Sequence, residues 1–424
     1  MSAIMPTYGR LPVTFASGAG AHLTDQKGRQ YLDALSGIAV TNLGHSHPNV
    51  TRAVIEQAES LLHTSNLYGI AQQERLAAEL NQLTGMERIF FCNSGAEANE
   101  TAIKMARRHG HNKGIANPQI VVLEGAFHGR TMGALSATGS AAIQAAFKPL
   151  LPGFIRIARN DTEALEALAK TRDDIVAIHL EPVQGESGIY PLDHAFLVRA
   201  RELCDQEDWL LSFDEVQSGN GRCGALYVFQ RLGIIPDVLA TAKGLGNGLP
   251  IGACMARGPA GDLLVPGDHG TTYGGNPVCC AAASAVINTL SASQLWDRAD
   301  IIRAAIFEGL DSEIADGDLI RDRRGVGLMI GIEPTVPTEN LVRIRAIEFL
   351  ALNGIDFDKS IIEEIMKNAV SETEANLMLN SLALIVRSRP DFKINLTKDI
   401  FPAEWTRNPK DLISRRMQYL VDNL

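Results

Sequence analysis

The sequence has little that would place it in a membrane, on a secretory route or in a nucleic-acid complex. No apolar run reaches the roughly 18 residues that span a bilayer, and the first residues lack the basic segment followed by an apolar one that marks a targeting signal. The six cysteines have neither metal-ligand spacing nor the arrangement of a disulfide framework, so we expect reduced, mostly buried thiols. The net charge of −10 is unfavourable for binding nucleic acid. We therefore expect a cytoplasmic protein without a membrane or nucleic-acid partner.

Two further sequence patterns have only part of what a metal site or a nicotinamide-binding site needs. His45 and His47 stand two residues apart, but no third ligand lies nearby, so we expect no metal site. The run GLGNG that follows Lys243 lacks the order G-x-G-x-x-G, which disfavours a nicotinamide-binding fold. The chain is long and rich in apolar residues. Its 424 residues, 46% of them hydrophobic, can bury a large core.

Two short apolar runs each end in one ionisable residue that is followed closely by a turn. Residues 209–213 lead to Asp214, and residues 238–242 lead to Lys243 and a series of glycines. Buried strands that end in this way present chemistry to the crevice of an open α/β sheet. One alternative is a salt bridge between two ordinary strand ends. Without a charged partner, Lys243 would lose solvation, have a lowered pKa and become an amine that forms Schiff bases.

Asp214 has the chemistry to keep the pyridine nitrogen of pyridoxal phosphate protonated. The segments FDEVQSGNGRCG and TAKGLGNGLPIGA resemble the aspartate loop and the lysine segment of the class III, fold type I aminotransferases. The resemblance implies an α/β fold, with a large domain built on a mostly parallel sheet flanked by helices and a smaller α/β domain from the N- and C-terminal segments. It also implies pyridoxal 5'-phosphate as cofactor, Asp214 and Lys243 as catalytic residues, and Val216 and Gln217 as cofactor-binding residues.

A second segment, residues 94–99, reads SGAEAN between a predicted strand and a predicted helix. Ser94 and Glu97 have the spacing of a capping box, which explains both residues as structural. The same geometry presents backbone N–H groups and the positive end of the helix dipole to a phosphate. The segment matches the phosphate-binding turn of the resembled family, which implies that Ser94, Gly95 and Ala96 bind the cofactor.

The segment FHGRT at residues 127–131 also resembles the family. The resemblance implies that Phe127 stacks on the cofactor ring, that His128 is a further cofactor-binding residue and that Arg130 holds the α-carboxylate of an ornithine-type substrate. Without the resemblance, Phe127 and Arg130 are interpreted as an ordinary core and an ordinary surface residue.

Two loops carry the remaining predicted site residues. In EPVQGE, at residues 181–186, the resemblance implies that Glu186 faces the substrate and pairs with an arginine from the C-terminal part of the chain. HGTTYGGNP, at residues 269–277, resembles a loop whose threonine, here Thr272, reaches the cofactor phosphate of the neighbouring subunit. Thr271 is predicted to bind substrate. The resemblance therefore implies a homodimer with shared active sites.

The C-terminal part departs from the family pattern. The motifs cover residues 10–333, and only one of the 38 glycines, Gly354, follows residue 333. We predict an N-terminal segment at 1–50, a large cofactor-binding domain at 51–290 and a C-terminal domain at 291–424 that is helix-rich and atypical after residue 333. The expected arginine before a Pro-Pro pair is not found. Arg387 and Arg389 in VRSRP are the nearest candidates.

The resemblance predicts an aminotransferase that moves the ω-amino group of N-acetylornithine to 2-oxoglutarate, a step of arginine biosynthesis. Lys243 would form the Schiff base with the cofactor and then act as general acid and base. Enzymes acting on ornithine, succinylornithine or 4-aminobutyrate share these motifs and remain alternatives. A hypothesis from another class is a cofactor-binding protein with weakened activity, whose altered tail binds a partner.

Overall fold

The computed structural model describes residues 3–313, 320–334 and Leu382. The chain divides into two compact units, of which the larger consists of Phe15–Glu313 and Arg324–Gly331. All residues that line the candidate site lie in this larger unit. The domain boundaries at residues 50 and 290 stay a prediction. The helices predicted after residue 333 and the candidate arginines Arg387 and Arg389 lie outside the described residues.

Fourteen strands in four sheets occur in the described ranges. Their bounds are β1 (Phe15–Ala19), β2 (His22–Asp25), β3 (Gln30–Leu32), β4 (Arg88–Cys92), β5 (Gln119–Leu123), β6 (Phe154–Ile157), β7 (Ile175–Leu180), β8 (Val183–Gln184), β9 (Tyr190–Pro191), β10 (Leu210–Asp214), β11 (Val238–Thr241), β12 (Gly252–Ala256), β13 (Ile320–Val326) and β14 (Met329–Pro334). Seven of them form the central sheet in the order β4-β12-β11-β10-β7-β5-β6. Within it, β12 runs antiparallel to β11 and β4, and the other neighbouring pairs are parallel.

The helical segments surround this sheet. Their bounds are α1 (Ser36–Ala39), α2 (Pro48–Ser60), α3 (Ala71–Thr84), α4 (Gly95–Asn112), α5 (Met132–Ala137), α6 (Ala141–Gln144), α7 (Thr162–Thr171), α8 (His194–Glu207), α9 (Val228–Leu232), α10 (Pro277–Ala292) and α11 (Arg298–Glu313). α1 is a single turn in which all four residues have positive φ, so it is left-handed. The expectation of a mostly parallel sheet flanked by helices is confirmed.

The central strands form because their apolar runs are buried on both faces, as expected for strands of a parallel sheet covered by helices. All six residues of β7 and all five residues of β10 are buried. The apolar runs at 209–213 and 238–242 are observed as strands to within one residue at each end. Outside the central sheet, β1, β2 and β3 form a three-stranded antiparallel sheet.

The six cysteines, all within the described ranges, are buried and none is disulfide-bonded, as predicted. No single helix in the described ranges is long and apolar enough to cross a membrane, although the bent pair formed by Pro277–Ala292 and Leu295–Asp311 passes that test jointly on length and composition.

The sheet brings distant residues to one edge. The carboxyl ends of β5, β7, β10 and β11 lie at the same edge, because these strands are parallel. Phe127 follows β5, Glu181 follows β7, Asp214 ends β10 and Lys243 follows β11. Open α/β sheets bind their ligands at such an edge. The fold therefore collects the predicted catalytic residues at one place.

Candidate active site

A cavity of about 440 Å³ opens at this edge of the sheet. Its lining includes ten of the residues that the sequence singled out: Ser94, Gly95, Ala96, Phe127, His128, Arg130, Asp214, Val216, Gln217 and Lys243. Asn93, Asn99 and Glu181 line it as well. A concave site with a few convergent polar groups is the usual form of a cofactor pocket.

Asp214 is buried at the floor of the cavity, with 4% of its surface exposed. Its Oδ2 accepts hydrogen bonds from Asn99 Nδ2 at 2.6 Å and His128 Nδ1 at 2.8 Å, and its Oδ1 accepts one from the Val216 N–H at 3.0 Å. Burial acts to raise the pKa of Asp214, but the hydrogen bonds from His128 and the Val216 N–H, together with the electrostatic effect of the two neighbouring histidines, outweigh it, so the pKa lies below its ordinary value. The carboxylate stays ionised and is suited to pair with the protonated ring nitrogen of pyridoxal phosphate.

Two histidines support Asp214 from behind. The rings of His128 and His179 lie 4.3 Å apart, and His179 Nδ1 lies 2.8 Å from Ser212 Oγ. Burial lowers the pKa of His179 to about 3, so this ring is neutral at physiological pH, as expected for a core histidine. Because the ionised Asp214 only accepts hydrogen bonds, the Nδ1 atom of His128 must carry the proton that it donates. The contact fixes the tautomer of His128.

Lys243 lies on the other side of the cavity. Its Nζ donates a hydrogen bond to Gln217 Oε1 at 3.2 Å, and its backbone has a φ of 47°, in the left-handed region that a lysine rarely adopts. Burial lowers the pKa of Lys243, against the opposing charges of Asp214 and the neighbouring glutamates. Asp214 and Lys243 form no ion pair with each other, although both belong to the described part of the chain, so the salt-bridge alternative is wrong.

The N-terminus of α4 forms the third wall. Ser94 Oγ accepts a hydrogen bond from the Glu97 N–H at 3.2 Å, which confirms Ser94 as the cap of α4. Glu97 Oε2 accepts a hydrogen bond from the Asn93 N–H at 2.7 Å rather than from the Ser94 N–H, so the predicted capping box is only half formed. The first N–H groups of a helix have no intrahelical acceptor, and Gly95 and Ala96 line the cavity. A Cβ on Gly95 would lie 2.6 Å from Val216 Cγ1, so this close approach requires glycine. The helix end offers an anion site.

Arg130 lies at the exposed side of the cavity, with its Cζ 5.7 Å from the centre of the Phe127 ring. Glu186 is exposed and outside the lining, yet its negative charge acts on Lys243 and favours the protonated amine. Thr271 Oγ1 accepts a hydrogen bond from the Gly274 N–H at 3.0 Å, and Thr272 is exposed. Neither threonine is among the residues that line the cavity, so their binding roles stay predictions.

Two residues of the site were missed by the sequence analysis. Asn99 is the last letter of SGAEAN and lies one turn after Gly95, so helical spacing places both on one face of α4. Glu181 directly follows the buried strand β7, much as Asp214 ends β10, but the resemblance pointed to Glu186 in the same motif. In both cases the signal was in the sequence, and only the hydrogen-bond partners required the fold.

These features fit pyridoxal phosphate: the N-terminus of α4 suits its phosphate, Asp214 its ring nitrogen and the Lys243 amine its aldehyde. The fold and the site thus define a pyridoxal-phosphate-dependent transferase of fold type I. The family model for class-III aminotransferases matches residues 4–385, and the chain belongs to that family. It is therefore a transaminase that acts on small amino acids and oxo acids. The match continues past residue 333, where the motifs end.

Individual proteins that are similar to this chain are named as aminotransferases. An acetylornithine aminotransferase of Nitrosomonas europaea is 49% identical over 342 residues, which are 81% of this chain and 87% of that protein. One of Methanocaldococcus jannaschii is 41% identical over 397 residues, 93% of this chain and 94% of that protein. Two solved structures are similar. The acetylornithine aminotransferase of Elizabethkingia anophelis is 31% identical with a TM-score of 0.72, covering 91% of this chain and 96% of that one. The ornithine aminotransferase of Toxoplasma gondii is 30% identical with a TM-score of 0.77, covering 92% and 93%.

A pair of substitutions separates helix capping from cofactor binding at Ser94. Ser94 caps α4, and Asp161 caps α7, where its Oδ1 accepts a hydrogen bond from the Ala164 N–H at 2.8 Å. Loss of either cap is expected to cost about 1 kcal/mol of stability, measured by thermal unfolding of the apoprotein. We expect Ser94→Ala, but not Asp161→Ala, to weaken cofactor binding by about fivefold or more in a titration with pyridoxal phosphate. Equal cofactor affinity in both variants would show that Ser94 is a cap only.

Proposed function

We propose that this transaminase transfers the ω-amino group of N-acetylornithine to 2-oxoglutarate, in the cytoplasm and as a step of arginine biosynthesis. The observation that carries the proposal is one cavity that places Arg130 at its exposed side and Lys243 opposite Asp214 at its floor. The names of the relatives from Nitrosomonas europaea and Methanocaldococcus jannaschii support the choice of substrate. Six free thiols accord with a reducing compartment.

Binding of the amino donor follows from Arg130. Its guanidinium is a fixed charge with a planar fork that matches a carboxylate. Bound in this way, the α-carboxylate lies at the exposed side of the cavity and the ω-amino group extends towards Lys243. The N-acetyl group removes the charge of the α-amine, so no second anion is needed to receive it.

Proton transfer follows from Lys243. The bound cofactor supplies an electron sink for the carbon that loses its proton. Lys243 Nζ takes that proton and returns it, because burial keeps a larger share of the amine neutral than in an exposed lysine. Asp214 holds the proton on the ring nitrogen, and Gln217 keeps Lys243 Nζ in place through the hydrogen bond at 3.2 Å.

The second half-reaction makes a further demand. Glutamate carries two carboxylates, so a second cation is needed once Arg130 holds one of them. Glu186 is the residue predicted to pair with that cation, and its candidate partners Arg387 and Arg389 lie in the part of the chain that the structure leaves undescribed. Recovery of the cofactor form by 2-oxoglutarate therefore tests the second half-reaction separately from the first.

The test is the visible absorption spectrum of the protein loaded with pyridoxal phosphate. We expect a cofactor band that N-acetylornithine bleaches and 2-oxoglutarate restores, and no such band in Lys243→Ala, because the amine that binds the cofactor is gone. Ornithine, succinylornithine and 4-aminobutyrate serve as competing donors. Faster bleaching by one of them would reassign the substrate, and a band that bleaches without recovery would remove the 2-oxoglutarate half.

We also propose a homodimer with shared active sites. Leu67, Tyr68 and Tyr273 are 88%, 70% and 64% exposed. Asn66 Nδ2 donates hydrogen bonds to the carbonyl oxygens of Thr271 and Gly274, which joins the two segments into one apolar surface beside Thr272. A second copy of the chain on this surface would cover the apolar side chains and bring Thr272 to the partner's cofactor phosphate.

Sedimentation equilibrium tests the dimer. We expect the unmodified protein to sediment as a dimer and Leu67→Glu to dissociate it and weaken cofactor binding, because a buried unpaired charge is costly in an interface. Ile301→Glu, at a side chain that is 70% exposed on α11, is the matched control and is expected to leave both properties unchanged. A monomeric unmodified protein with full activity would contradict the proposal.

A further inference from the structure

Glu181 is a buried carboxyl group that the proposed chemistry does not use. It follows β7 directly, lines the cavity and has 5% of its surface exposed. Burial raises the pKa of Glu181 to about 7, and the negative charge of Asp214 acts in the same direction, against His128. Burying a carboxyl group costs free energy unless its oxygens accept hydrogen bonds from specific donors.

The two oxygens of Glu181 bind two different segments of the site. Oε1 accepts a hydrogen bond from the Phe127 N–H at 2.8 Å, and Oε2 accepts one from the Gly185 N–H at 3.1 Å. Phe127 belongs to the turn whose side chain is predicted to stack on the cofactor ring. Gly185 directly precedes Glu186, the residue predicted to face the substrate. One carboxylate therefore spans the two segments.

The contact of Gly185 extends to the catalytic lysine. A Cβ on Gly185 would lie 2.2 Å from Gln217 Oε1, the atom that accepts the hydrogen bond from Lys243 Nζ. The backbone of Gly185 thus packs directly against the group that holds the amine. A shift of Gly185 would displace Gln217, and with it Lys243.

The far end of the same loop is already fixed by other groups. Arg324 Nε donates hydrogen bonds to the carbonyl oxygens of Gly188 and Ile189, and the guanidinium groups of Arg159 and Arg324 lie 3.6 Å and 3.8 Å from the centre of the Tyr190 ring. At the end of the loop next to the cavity, Glu181 accepts the hydrogen bond from the Gly185 N–H, and Gln184 Nε2 donates one to the Glu124 carbonyl oxygen at 3.0 Å. Loss of the Glu181 contact would loosen the end that carries Glu186.

We propose that Glu181 is a positioning residue that couples the cofactor-stacking turn at Phe127 to the substrate-facing loop at Gly185 and Glu186. The proposal rests on the proposed function for the roles of Phe127 and Glu186. Glu181 itself touches neither reacting atom. It sets the separation between the turn that carries Phe127 and the loop that carries Glu186 by holding both backbones with one side chain.

Glutamine at this position breaks the coupling with little change of shape. A carboxylate accepts at both oxygens, whereas the Gln amide accepts at one atom and donates at the other. One of the two N–H groups would then face another donor, so the side chain no longer binds both segments and each loses the support of the other. Glu181→Asp keeps both acceptors on a side chain shorter by one methylene and serves as the conservative variant.

Glu215 offers a matched control. It too is fully buried, burial raises its pKa to about 7, and its oxygens accept hydrogen bonds from the N–H groups of Val228 and Phe229 at 2.6 Å and 2.9 Å. These partners begin α9, and Glu215 is not among the residues that line the cavity. Glu215→Gln therefore carries a comparable loss of stability at hydrogen bonds that hold α9 rather than the lining of the cavity.

The experiment compares the unmodified protein with Glu181→Gln, Glu181→Asp and Glu215→Gln. Hydrogen exchange is measured in the peptides that contain Phe127 and Gly185, together with the dissociation constant of pyridoxal phosphate and the KM and kcat for N-acetylornithine. We expect Glu181→Gln to speed exchange in both peptides, and to weaken cofactor binding and raise KM by about 5- to 100-fold each, as for an unpaired buried donor. Glu181→Asp should shift each quantity in the same direction by less, and Glu215→Gln should leave all of them within about twofold while lowering the melting temperature.

A change confined to one of the two peptides, or an effect of Glu215→Gln equal to that of Glu181→Gln, overturns the coupling. If Glu181→Gln does not fold, the same criteria apply to Glu181→Asp. Failure of the unmodified protein to turn over N-acetylornithine overturns the proposed function alone, because the exchange rates and the cofactor affinity still decide the role of Glu181.

Discussion

The site depends on keeping one buried carboxylate ionised. Asp214 is surrounded by protein, and an ion in that position is stable only with enough hydrogen-bond donors. The donors come from three places: Asn99 on α4, His128 on the turn after β5, and the backbone N–H of Val216. None of these segments could move away without leaving the charge unsatisfied. Because Asp214 needs these hydrogen bonds, it holds in place the N-terminal part of α4, which suits a phosphate, and the turn that carries Phe127 and Arg130.

The same buried environment affects the charge of Lys243 in the opposite way. Burial lowers its pKa and favours the neutral amine, whereas the donors around Asp214 keep that group charged. Both pKa values are lowered, so the carboxylate keeps its charge while the amine gives up its proton more readily, as a general base requires. The left-handed backbone of Lys243 indicates that the surrounding structure holds the lysine in place at some energetic cost.

Much of this site could be predicted from the sequence, because its parts are local. Apolar runs that end in Asp214 and Lys243 predict strand ends, and the spacing of Ser94 and Glu97 predicts a helix start. The remainder depends on segments far apart in the chain. The hydrogen bond from the Phe127 N–H to Glu181 joins residues 54 positions apart, and nothing in the apolar run of β12 predicts that this strand is antiparallel to β11 and β4. The role of Thr272 depends on a second chain, so one sequence can suggest it only by resemblance.

The central claim is that Asp214, held ionised by its donors, keeps the ring nitrogen of the bound cofactor protonated. Nitrogen-15 NMR of the protein loaded with ring-labelled pyridoxal phosphate measures this directly. The account predicts a protonated ring nitrogen whose chemical shift does not change with pH over the range in which the protein is folded, and loss of that protonation in Asp214→Asn. A ring nitrogen that titrates in the unmodified protein, or stays protonated in Asp214→Asn, would contradict it.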